Sequence, residues 1–315
     1  MSTEGLLAYE SDRLPAFTNN TYYNRKNVLK YWITFAESTG LDLDNVDHQD
    51  VIDWLVWLRD ERGHAHSSIA QNLLELKSVY NWIDRNEYGE SPMDKLVKKE
   101  HYDWLKPTPE KVKESAEGVT YVTKPEYQLL LEAADGMRER IIIATLAELG
   151  LRRQELSWLK LDAFDWSSGV VQIRTAKREE YIQLPGFFSD EYRMVAKKWV
   201  NGDRAGWAAG CGGSDYLVTG HKIPSIRTGE TTEIVRDAAD RAGIQSYRED
   251  AQGRYWATIT PHALRHSYGV WRAKAGMPLT QISKLMRHTD ISVTYDYYQN
   301  FSTQDLKDEY DKYQP

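Results

Sequence analysis

The chain holds one cysteine, Cys211, in 315 residues. No internal disulfide can form, and Cys-rich zinc modules are excluded. Hydrophobic residues make up 41% of the chain, yet no apolar run approaches the roughly 18 residues that a spanning helix needs. The N-terminus, MSTEGLLAYESDR, lacks a basic region followed by an apolar stretch, so it does not read as a secretory signal. No fixed-period repeat or low-complexity tract is visible, which excludes solenoid arrays and biased tails. These absences imply a soluble, cytoplasmic protein with no membrane partner. The length suffices for two ordinary domains.

Positive charge is also scarce. Forty Lys and Arg against 47 Asp and Glu give a net charge of -7, whereas nucleic-acid binders usually show an electropositive footprint. The deficit is unevenly spread. From Pro261 to His288 the formal charges are Arg265, Arg272, Lys274, Lys284 and Arg287, with no Asp or Glu among them. Binding depends on where cations lie, and a basic face on an acidic body fits this distribution.

The first half reads as helices. Val28, Leu29, Trp32, Ile33 and Phe35 recur at helical spacing within Tyr23 to Phe35. Val51, Trp54, Leu55 and Leu58 follow i, i+3, i+4, i+7, with Asp47 as cap and Gly63 as stop. A third helix starting near Ser67 carries Ile69, Leu73, Leu76, Tyr80 and Ile83, and a short basic helix is expected over Lys95 to Trp104. The stretch KPTPEKVKESAEG, 106 to 118, has two prolines and many charges, and reads as a linker.

The second half opens with Thr123 as a cap, Pro125 in a first turn and a helix to Ala134. An apolar helix follows from Met137 to Leu149, stopped by Gly150. VVQIR (170 to 174) and EYIQL (180 to 184) predict a strand pair around the polar AKRE. Helices are expected at about 190 to 200, 230 to 241, 262 to 275 and 279 to 287. The fold class is therefore mainly α with a small antiparallel sheet in the second domain.

PHALRHSYG, 261 to 269, raises a chemical question. His262 and His266 stand at i and i+4, as two zinc ligands on one helix would, while His262 and Arg265 share a face as an anion clamp would. A helical zinc pair of the H-E-x-x-H kind needs a glutamate at the second position. Position 263 is Ala263, no carboxylate lies in the motif, and Arg265 would repel a dication. No metal is expected. GWAAGCGG, 206 to 213, lacks the G-K-[ST] ending of a nucleotide-binding loop and reads as a surface loop, so no cofactor is expected either.

Three further segments bear on the clamp. GLRRQEL (150 to 156) places Arg152 just after a helix-ending glycine, with Glu155 three residues on. Lys177 lies at the turn of the strand pair. KLMRHTDISVTYDYYQN (284 to 300) puts His288 nine residues before Tyr297. In this order and spacing the segments resemble the tyrosine recombinase (phage integrase) family. The family signature is an arginine in G-L-R-x-x-E-L, a hairpin lysine, H-x-x-R, a second histidine and a tyrosine nine residues beyond it. One position departs from it, since the usual glycine before the second histidine is Arg287. At the hairpin, Arg174 and Arg178 remain alternatives to Lys177, and Tyr298 remains an alternative to Tyr297.

The resemblance covers about residues 17 to 300. It implies an N-terminal extension (1 to 16), a helical core-binding (SAM-like) domain at 17 to 105, the 106 to 118 linker, an integrase-type catalytic domain at 119 to 301 and a tail at 302 to 315. The implied catalytic set is Arg152, Lys177, His262, Arg265, His288 and Tyr297. Double-stranded DNA is the implied partner, with a homotetramer on paired sites. The implied reaction is site-specific strand exchange through a 3′-phosphotyrosyl intermediate, without metal or ATP. A type IB topoisomerase-like nicking and closing enzyme, or a non-catalytic DNA-binding regulator of the same fold, are the alternatives.

Residue chemistry suits that expectation. Arginine keeps its charge and binds two phosphate oxygens through a planar fork. A tyrosine, with a pKa of about 10, needs its proton removed before it can attack. His262 is the candidate base, Lys177 the candidate acid, and Glu155 the group that orients Arg152 or its loop. His266 reads as a packing residue. In the tail, Leu306, Tyr310 and Tyr313 form an i, i+4, i+7 stripe that needs an apolar partner; the resemblance implies a neighbouring protomer, with a cis helix completing the catalytic domain as the alternative.

Overall fold

The structure is a computed structural model that describes residues 3–17, 19–105, 120–177, 180–249 and 253–288. The chain forms two compact units, and the division between them falls among residues 106 to 119, outside the described residues. Among the described residues no helix is long and apolar enough to cross a membrane.

The first unit is helical: α1 (Thr3–Ala8), α2 (Asn19–Thr39), α3 (His48–Asp60), α4 (His66–Arg85) and the single turn α5 (Lys98–His101). Asp47 caps α3 as expected, in a reciprocal box with Asp50. The apolar stripes meet around Trp32, whose ring lies edge-on to Trp54 at 5.5 Å and to Tyr80 at 6.2 Å between centroids. Leu6, Tyr9 and Leu14, from the stretch expected as an extension, belong to the same core. The basic helix expected over Lys95 to Trp104 is instead broken into α5 and a 3₁₀ turn, Asp103–Leu105. Tyr102, at the break, and Trp104, just beyond it, both pack against the core.

The second unit contains α6 (Lys124–Glu132), α7 (Gly136–Leu149), α8 (Arg153–Ser157), β1 (Phe164–Asp165), β2 (Val170–Lys177), β3 (Glu180–Phe187), α9 (Asp190–Asn201), α10 (Arg204–Ala209), α11 (Thr228–Arg241), β4 (Tyr247–Glu249), β5 (Tyr255–Ala257), α12 (Pro261–Lys274) and α13 (Leu279–Leu285). Thr123 and Glu126 cap α6 reciprocally. The core is built on α7, whose Ile141, Ile142, Ile143, Leu146 and Ala147 are buried on all sides.

The strand pair is antiparallel but longer than expected, running in register from Val170↔Phe187 to Lys177↔Glu180. β1 adds a short third strand, and β4 and β5 form a separate ribbon that the sequence did not announce. The surface loop expected at 206 to 213 is partly helical. Its Trp207 packs under the Arg138 guanidinium, 4.3 Å away, and continues α10. α13 ends at Leu285 rather than at 287, because Arg287 turns left-handed with φ +58.

Candidate active site

Two helix boundaries create the site. α7 stops at Gly150, whose left-handed φ of +57 turns the chain sharply into Leu151 and Arg152. Arg152 then sits immediately before the short helix α8, which carries Glu155 on its first turn. From the other side, Thr260 caps α12 and Pro261 opens it, so His262, Arg265 and His266 lie in the first two turns.

Glu155 is the hub. Its carboxylate is 2% exposed and takes hydrogen bonds on both oxygens. Oε1 accepts from Arg152 Nη1 at 2.9 Å, from the Thr175 hydroxyl at 2.7 Å and from Arg287 Nε at 3.3 Å. Oε2 accepts from the Arg152 backbone N–H at 2.8 Å and from Arg287 Nη2 at 3.0 Å, with Arg265 Nη1 3.6 Å away. Burial alone would push this carboxyl up. The charges of Arg287 and Arg265, the hydrogen bonds from Arg287 and the charge of Arg152 outweigh it, holding the group at about 2. Glu155 is thus ionised at neutral pH.

The two expected clamp arginines differ in access. Arg152 leaves about 40% of its side chain exposed and donates Nη2 to the Arg287 carbonyl at 3.2 Å. Arg265 is closed in, with Nη1 on the Gly150 carbonyl at 2.7 Å and Nη2 on the Met286 carbonyl. Gly150 O also accepts from Arg287 Nη2 at 2.9 Å, so one carbonyl ties α12 and the 286–288 turn to the end of α7.

The histidines lie in the same field. The His262 and His266 rings meet edge to face, 4.2 Å between centroids. Lost hydration, and then the charges of Arg265 and Arg152, lower the His262 pKa although the residue is partly open to solvent. Burial, followed by Arg265, Arg152 and Arg287, holds His288 at about 3. Burial, followed by His262, Arg265 and His288, does the same for His266. All three are neutral at pH 7, able to accept or donate a hydrogen bond without adding charge. No cluster of three or more metal-binding side chains occurs among the described residues.

The structure therefore brings Arg152 together with His262, Arg265 and His288, which lie more than a hundred residues further along the chain. Lys177 ends β2 opposite Glu180, and its side chain is not described. Tyr297, Tyr298 and the tail lie outside the described residues. Sequence reasoning missed Thr175 and undervalued Arg287. Thr175 carries no signal of its own, whereas Arg287 was marked as a departure from the family pattern.

The phage integrase family matches residues 120–304, and the phage integrase N-terminal SAM-like domain matches residues 16–87. Tyrosine recombinase XerD of Listeria monocytogenes serotype 4b is 24% identical over 305 residues, covering 94% of this chain and 93% of that protein. Tyrosine recombinase XerC of Staphylococcus saprophyticus is 24% identical over 289 residues, covering 89% and 86%. Among solved structures, the Tn1549 transposon integrase in complex with circular intermediate DNA aligns with a TM-score of 0.67 at 16% identity, over 98% of each chain. The XerH site-specific recombinase bound to palindromic difH substrate aligns with a TM-score of 0.68 at 17% identity, over 91% of this chain and 78% of that one. Fold and relatives together define a tyrosine-type site-specific recombinase. The chain belongs to the phage integrase family, whose match spans both the described site and position 297.

Proposed function

We propose that this recombinase cuts and rejoins double-stranded DNA with Tyr297 as nucleophile and Arg152, Lys177, His262, Arg265 and His288 as the groups that act on the scissile phosphate. The observation that carries the reading is the convergence of Arg152 and Arg265 on the buried carboxylate of Glu155, with the neutral His262 and His288 lying in the field of both arginines.

Attack by the Tyr297 oxygen forms a phosphorus–oxygen bond at the 3′ side and breaks the bond to the 5′ oxygen. The phenolic proton passes to His262, which is neutral at pH 7 and so can accept it. The leaving 5′ oxygen takes a proton from Lys177. Strand alternation supports Lys177 over Arg174: positions 175 and 177 share one face of β2, and Thr175 on that face bonds Glu155. Arg174 instead lies 5.3 Å from the Trp158 ring.

The pentacoordinate phosphorus gathers charge on its non-bridging oxygens, where preorganised cations matter most. Arg152 reaches them from its exposed position, and Arg265 joins when its Nη2 leaves the Met286 carbonyl. The phosphotyrosyl bond conserves the energy of the phosphodiester, so rejoining needs neither ATP nor metal. A homotetramer on two DNA sites, in the cytoplasm, is the assembly this chemistry requires for exchange between duplexes.

The test is covalent capture. A library of nicked duplexes with a randomised core, in which cleavage releases a short fragment, is incubated with the protein and denatured. A protein–DNA adduct through tyrosine is the expected result. Non-covalent binding without any adduct would leave a regulator of the same fold.

A further inference from the structure

Arg287 adopts a left-handed backbone, φ +58, which is disfavoured for a residue with a Cβ. Strain of this kind persists where surrounding contacts over-determine it. Those contacts are on its side chain, which is 1% exposed. Nη1 donates to the Leu285 carbonyl at 2.5 Å, Nη2 to Gly150 O at 2.9 Å and to Glu155 Oε2 at 3.0 Å, and Nε to Glu155 Oε1 at 3.3 Å. The guanidinium grips the carboxylate from behind and has no open face toward a ligand.

Charge balance gives this arrangement a purpose. Three guanidiniums, those of Arg152, Arg265 and Arg287, surround the single carboxylate of Glu155. Without Arg287, Glu155 would draw on Arg152 and Arg265 alone and cancel half of their charge. A phosphodiester carries one negative charge and its pentacoordinate state two. The set with Arg287 retains a formal surplus of two positive charges, matching that state.

We propose that Arg287 is a positioning residue that neutralises Glu155, keeping the charges of Arg152 and Arg265 available to the scissile phosphate. The proposal rests on the phosphate-clamp reading given above. The backbone of Arg287 contributes as well, since its carbonyl accepts from Arg152 Nη2 at 3.2 Å and steadies that side chain.

The experiment compares wild type, R287K, R287G, E155Q and R287G/E155Q. Each is assayed for adduct formation and for equilibrium binding, on a nicked duplex recovered from the randomised library. Thermal melting reports folding. R287G relieves the backbone strain but unbalances the carboxylate, and should slow adduct formation at least about tenfold with little change in affinity. In the E155Q background the same substitution should cost less than about threefold, because no carboxylate is left to neutralise. R287K keeps the charge but gives up the fork, so it should recover most of the adduct rate lost in R287G. Equal losses from R287G in both backgrounds, or R287K as impaired as R287G, would overturn the proposal while leaving the clamp intact. Should R287G fail to fold, R287K against wild type decides the matter. An inactive wild type overturns the clamp reading itself, a separate outcome.

Discussion

The backbone of Gly150 lies against the ring of Tyr268. A Cβ built on Gly150 would stand 2.7 Å from Tyr268 Cγ and 2.8 Å from Cδ1, closer than any carbon pair tolerates. The same residue has φ +57, and its carbonyl holds both Arg265 and Arg287. Gly150→Ala therefore meets strain and a clash with a buried ring at once. We expect a loss of about 2–4 kcal/mol in denaturant unfolding, from overpacking plus the left-handed penalty. A neutral result would mean that α7 and α12 can move apart without cost.

Tyr297→Phe removes one oxygen and keeps the ring. Folding and DNA binding should persist, and the covalent adduct should disappear. Tyr298→Phe should keep it. An adduct from Tyr297→Phe and none from Tyr298→Phe, read by denaturing gel, would move the nucleophile by one residue.

Arg265→Lys retains the charge and loses the fork that spans Gly150 O and Met286 O. One buried carbonyl is left without its donor, at about 1–3 kcal/mol of stability. Cleavage should fall far more than affinity, because a point charge cannot hold two oxygens. By contrast Lys284→Ala, at an exposed position, should mainly weaken binding and flatten its salt dependence if that side chain meets a phosphate. Equal losses of cleavage and binding in Arg265→Lys would reduce that residue to an anchor.

Acid should unfold the second unit early. His266 and His288 titrate at about 3 when folded, against an ordinary 6.5. Between those values the unfolded chain binds more protons than the folded one, so stability falls as pH drops below 6.5. Glu155, held at about 2, extends the decline from about 4.5 downward, as its ion pairs are lost on protonation. Melting temperature should hold nearly level from pH 8 to about 7 and then decrease steadily to pH 4, and His266→Gln should make that slope shallower. A pH-independent melting point would show that these rings are not held neutral.

Cleavage should proceed in excess EDTA, since arginines and histidines supply the charge that a metal nuclease takes from its ion. A strict need for a divalent cation, measured by adduct yield, would return attention to His262 and His266 as ligands.

Much of this protein was legible in the linear order of its residues. Apolar periodicity located α2, α3 and α4, because a helix that must bury one face repeats it every three to four residues, while α7, buried on all sides, showed itself as a near-continuous apolar run ended by Gly150. Asp47, Thr123 and Gly150 marked helix ends through local bonding and backbone freedom, which depend on near neighbours alone. Arg152, His262, Arg265 and His288 were picked out through the resemblance of their segments, in order and spacing, to the tyrosine recombinase signature. Tertiary structure decided the rest. Glu155 became the hub only when Thr175, Arg265 and Arg287, from three distant segments, closed on it, and Thr175 by itself carries no trace of that role. Arg287 looked like a lapse from a glycine pattern until its side chain was seen to fill the space behind the carboxylate. Local rules act over one or two turns of chain, whereas the balance of buried charge is struck among groups that only the folded core brings within reach.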